Sequence, residues 1–138
     1  MKNLSIVTLF FITAVLAATS CKKETVMAPS KNPIVSRKIQ FSLYTDKDFS
    51  GENNNVLFTL TIQNSAFQSL WDSTLPPIKL KDIPDVAHKL IATKSISVSD
   101  TALLRVGFLY SIENVGHSSF FDSSQPGDTL KMVDFNFQ

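Results

Sequence analysis

Residues 46–52 read Asp-Lys-Asp-Phe-Ser-Gly-Glu. This is the first half of a calcium loop, in which oxygens on alternate residues converge on a hard cation and a glycine permits the sharp turn. Asp46, Asp48, Ser50 and Glu52 are the candidate calcium ligands on that pattern. The second half is missing, because Leu57 stands where a bidentate Glu belongs. Asp122 or Asp128 would have to complete the site. The alternative is a solvated hairpin loop whose Asp side chains hold local turns. A second group is aromatic. Phe49, Phe120 and Phe121 lie in segments of turn composition, where exposed rings can stack on a sugar. The alternative is that they cap the open end of a core. Catalytic groupings are poor. Gly116-His117-Ser118-Ser119-Phe120 misses the G-x-S-x-G pattern at its last position. His88 and His117 lack metal-ligand spacing. A small hydrolase using His117, Asp122 or Asp128 is the enzymatic alternative.

These residues must be positioned by a small scaffold. A chain of 138 residues suits one domain. Its single cysteine excludes an internal disulfide framework and a Cys-rich zinc module. From Lys38 onward there are eight basic and eleven acidic residues, which argues against a nucleic-acid partner.

Residues 1–20 read as a signal peptide. Lys2 is followed by an apolar run from Leu4 to Ala18 and then by small residues. The run is too short for the roughly 20 residues of a spanning helix. Ala18-Thr19-Ser20-Cys21 resembles a bacterial lipobox, with Ala18 in place of the usual Leu. That makes Cys21 the expected lipidation site and acyl chains the expected membrane link. Ordinary cleavage near Ala17 or Ala18, leaving a free thiol, is the alternative. Lipidation also explains an otherwise unpaired thiol in an exported protein. Residues 21–37 then form a flexible tether, with Pro29, Pro33 and four basic residues, Arg37 among them. Cys21-Lys22-Lys23-Glu24 also resembles the start of Bacteroidota-type lipoproteins, which leaves the periplasmic and surface faces of the outer membrane both open.

Residues 38–138 alternate with period two. Ile39, Phe41 and Leu43 form one such run, as do Val56, Phe58, Leu60 and Ile62. Leu104 to Ile112 and Val133 to Phe137 continue it. The pattern predicts strands at 38–45, 56–63, 67–72, 78–82, 87–98, 102–113 and 129–137, with turns between them. Asp85 is positioned to cap a short turn through His88, and Pro84 marks an edge or corner. Seven short strands without helices predict an all-β, antiparallel β-sandwich of immunoglobulin-like type, with a jelly roll or C2-like sandwich as alternatives. Trp71 stands without the paired cysteines of antibody domains.

Segments of this stretch carry a family resemblance. LYTDKDFSG (Leu43–Gly51), LWDS (Leu70–Ser73), KDIPDVAHKL (Lys81–Leu90), VGFLYSIENVG (Val106–Gly116) and VDFNFQ (Val133–Gln138) together cover about half of the domain. In them the chain resembles small exported Bacteroidota lipoproteins of unassigned function. The resemblance implies a fold and a location in the cell envelope, and no chemistry. The expected function is therefore that of a membrane-anchored lipoprotein whose non-catalytic sandwich binds an envelope protein. The alternative partner is a glycan.

Overall fold

The computed structural model describes residues 32–138. The segment expected to be a signal peptide (residues 1–20) and the expected lipidation site Cys21 lie outside the described residues. Eight strands follow in order: β1 (Ile34–Thr45), β2 (Asn55–Asn64), β3 (Ser69–Thr74), β4 (Ile78–Lys79), β5 (Leu90–Ser99), β6 (Leu104–Ile112), β7 (Gly116–Ser124) and β8 (Leu130–Phe137). A 3-10 turn, Leu80–Asp82, follows β4 and is the one helical turn among the described residues.

The strands form two sheets, one in the order β5-β1-β8 and one in the order β3-β2-β6-β7, with β4 also on β2. The result is an all-β sandwich. Part of its connectivity matches that of an immunoglobulin domain. β1 and β5 pair in one sheet while β2, β6 and β7 lie side by side in the other, as strands B, E, C, F and G do there. β8 takes the flank of β1 and runs parallel to it, from Lys38 opposite Leu130 to Thr45 opposite Phe137. That parallel pair is the one departure from the expected antiparallel pattern among the described strands.

Alternation decides what is inside. Phe41, sitting between Ala92 and Val133 in its own sheet, meets Phe108 of the other sheet edge-on at 5.7 Å between ring centroids. Phe58 meets Phe137 in the same way at 5.6 Å. Each fully buried phenylalanine contributes a few kcal/mol of apolar burial, so these rings carry much of the domain's stability.

Two expectations need correcting. The domain begins before residue 38, because β1 reaches back to Ile34 and Arg37 is fully buried. Arg37 Nη1 donates to the carbonyls of Ala102 (2.7 Å) and Gln125 (3.0 Å), and Nη2 to those of Ser99 and Asp100. Those carbonyls lie at the end of β5 and in the β5–β6 and β7–β8 connections, so one side chain ties both loops to β1. The expected tether cannot therefore extend to Arg37, because residues from Ile34 onward belong to β1. The second correction is β7. Residues 116–124 were expected within a turn segment and instead form a nine-residue strand in unbroken register with β6.

The open sides of the sandwich are closed by lysines. Ile39 lies between Lys94 of β5 and Lys131 of β8 in register. Lys94 reaches over the ring of Trp71, 5.4 Å from its centroid. Lys131 crosses the other side to Asp122 of β7 at 2.6 Å. Inward-pointing charges on edge strands also discourage unwanted strand pairing.

Candidate functional site

The proposed calcium residues do not converge. Asp46 accepts hydrogen bonds from Asn136 Nδ2 (2.9 Å) and Gln138 Nε2 (3.1 Å), so both its oxygens are engaged by the end of β8. Asp48 Oδ1 accepts from the Ser50 N–H at 2.9 Å, a local turn. Glu52 enters the loop through its backbone, donating to the Phe49 carbonyl. Among the described residues no group of three or more His, Cys, Asp or Glu side chains is placed to hold a metal.

The three phenylalanines part company as well. Phe49 packs on Phe137, with centroids 5.7 Å apart. Phe120 lies flat on Phe135 at 4.9 Å, facing the interior from β7. Phe121 points to the other side of the same strand. They form no common platform. The hydrolase set is also scattered. His117 is on the outer face beside Ser111, and Asp122 is inward on Lys131. Asp128 accepts from the Gln125 N–H at 2.7 Å and closes the β7–β8 turn. His88 is exposed and bonded to Asp85, whose Oδ1 also accepts from the Ala87 and His88 N–H groups at 2.9 Å, as its capping role predicts.

Four carboxyls are held below their ordinary value of 3.8: Asp46 chiefly by Asn136, Asp48 by the Ser50 N–H, Asp85 by His88 and Asp122 by Lys131. A depressed carboxyl stabilises the fold above its unfolded value and loses that contribution as pH falls through the lower, folded value. The urea midpoint should therefore be level from about pH 7 to pH 5 and decline once the pH drops below about 4. All four side chains reach solvent, so the slope should be shallow. A steep loss of stability between pH 6 and pH 5 would contradict the assignment.

The feature that sequence reading missed lies on the outer face of the larger sheet. Arg105 of β6 is sandwiched between two aromatic rings. Its guanidinium carbon stands 4.2 Å from the centroid of Phe121 and 4.6 Å from that of Phe67. Nη1 makes one long bond, 3.4 Å, to Gln63 Oε1. No carboxylate lies within ion-pair distance of Arg105 among the described residues. Gly107 is paired with Phe121 and has no side chain of its own beside that ring.

Phe67 is held unusually. It ends the short turn between β2 and β3 with φ of 62°, the left-handed region where Gly or Asn is usual. The turn is enforced by Asn64, whose Oδ1 accepts from the Ala66 and Gln68 N–H groups and whose carbonyl accepts from Phe67 N–H. The ring gains little burial in return, since Phe67 is 68% exposed.

From this stack a strip carrying two exposed leucines among hydroxyl side chains continues down the sheet. Arg105 is level with Gln63, Gly107 and Phe121 with Thr61, Leu109 with Thr59, and Leu57 with Ser111 and His117. Those four rows span about 20 Å. Leu57 and Leu109 are each 39% exposed and line a shallow depression of about 260 Å³ with Tyr110 and His117. No family model, curated protein or solved structure matches this chain. The case for a site thus rests on geometry. Sequence reading had one available signal, a hairpin turn ending in Phe where Gly is favoured.

Proposed function

We propose that the protein is a lipid-anchored binding module of the bacterial cell envelope, non-catalytic, whose sandwich presents the outer face of β3-β2-β6-β7 to an envelope protein. The observation that carries the reading is Phe67. It is a bulky residue kept in a left-handed conformation, with most of its ring in solvent, against an arginine without an acidic partner. Strain of this kind costs about 1–3 kcal/mol and concentrates at ligand clamps. The exposed Leu57 and Leu109 offer apolar contact that a protein side chain can fill, which favours a protein over a glycan. The location draws its support from the sequence: a short apolar leader, small residues and a lone Cys21. The family resemblance to exported lipoproteins agrees with it.

Two measurements test the reading. Mass spectrometry of protein from its native host should find an acylated peptide beginning at Cys21, and a Cys21→Ala variant should leave the membrane fraction. An unmodified sulfur would overturn the anchor. A photo-crosslinking residue at Leu109 should give a discrete envelope adduct, while one at Ser95 on the other sheet gives none. Equal, diffuse crosslinking from both positions would overturn the binding face.

A further inference from the structure

We infer that the Phe67–Arg105–Phe121 stack recognises a side-chain carboxylate of a partner polypeptide, flanked in that partner by apolar residues. The inference rests on the binding face proposed above and names the chemistry it reads. Arg105 is a partly buried cation held between two ring faces. Its planar fork carries five N–H donors, of which the structure engages one, weakly. A guanidinium stacked on aromatic rings has its faces covered and its edge free. That edge is the geometry suited to a bidentate carboxylate. The rings fix the fork in place beforehand, so little side-chain entropy is lost when the acid docks.

Charge complementarity sets one end of the partner and the strip sets the rest. Beyond Phe121 the face offers Leu109 and Leu57, with no second unpaired cation in those rows. An extended segment with one acidic residue at the stack and apolar side chains along the next rows matches that order. The phenylalanine at position 67 belongs to the same arrangement. Glycine would suit the turn better, but it would uncover one face of Arg105.

The test uses the full chain in detergent micelles and amide shifts in nuclear magnetic resonance spectra. The probes are acetyl-Leu-Asp-Leu-amide, its Asn counterpart and glucuronate, titrated into the millimolar range. The Asp peptide should move the signals of Phe67, Arg105, Phe121 and Leu109, with affinity at least about fivefold above the Asn peptide. Arg105→Met should abolish that difference. Phe67→Gly should weaken the Asp peptide severalfold while its Tm stays equal to or above that of the unmodified protein, because the turn is relieved. Equal shifts from the Asp and Asn peptides would overturn the carboxylate. Glucuronate acting as strongly as the Asp peptide would overturn the polypeptide, and silence from every probe would overturn the site. A discrete crosslink from Leu109 alongside any of these failures would leave the binding face standing and remove only the acid-reading chemistry.

Discussion

Replacing Arg37 by methionine should remove roughly 4 kcal/mol or more of folding free energy, enough to leave a small domain largely unfolded at 37 °C. Methionine keeps most of the apolar stem but none of the donors. The four carbonyls that Arg37 holds would keep their positions and lose their charge-assisted partners. Three of them still accept one backbone N–H: Ser99 from Ala102, Asp100 from Gly127 and Gln125 from Asp128. The Ala102 carbonyl would have none among the described residues. Hydrogen bonds to charged groups contribute about 1.5–3 kcal/mol each, and stranding a buried acceptor costs a similar amount. Lysine at this position should recover part of the loss, because it restores the charge without the fork. Urea unfolding monitored by Trp71 fluorescence measures both variants. An Arg37→Met protein within about 0.5 kcal/mol of the parent would show that the clamp is not a determinant of stability.

Gly107→Ala should cost about 3 kcal/mol and act on one strand in particular. A Cβ at Gly107 would fall 2.0 Å from the Phe120 carbonyl oxygen and 2.9 Å from the Phe121 Cα. Both are backbone atoms of the paired strand, so no rotamer change relieves the clash. β7 is an edge strand, and the cheapest response is for it to move away from β6. Hydrogen exchange should then quicken in β7 before it does in β2 or β6. Phe121 rides on the same strand, so the Arg105 stack should open as well. A variant with the parent's melting temperature and unchanged protection in β7 would contradict this account.

The sandwich was readable because its strands are buried on one face. In β1, β2, β6 and β8 the alternation of apolar residues matches the side that meets the core. β7 escaped because an edge strand need not be apolar. Of the residues on its inward face, Gly116, Ser118, Phe120, Asp122 and Ser124, one alone is a large apolar side chain, and Asp122 and Ser124 are satisfied by Lys131 and Asp128. Arg37 escaped because a cation beside prolines reads as linker, although it is in phase with Ile39, Phe41 and Leu43. Extending that phase backward would have placed it inside. The proposed binding face could not be read at all from spacing. Phe67, Arg105 and Phe121 come from two different hairpins, and only the registers of β2, β6 and β7 bring them together.

The position of β1 has a mechanical consequence. It is the middle strand of its sheet, laddered to β5 on one side and to β8 on the other. A pull arriving along the chain from residue 33 would enter that strand lengthwise and load both ladders in shear. Their hydrogen bonds would then share the force rather than unzip one at a time. If the chain is anchored through Cys21 as proposed, a domain built this way resists being drawn open from its N-terminal side while a partner grips its far side.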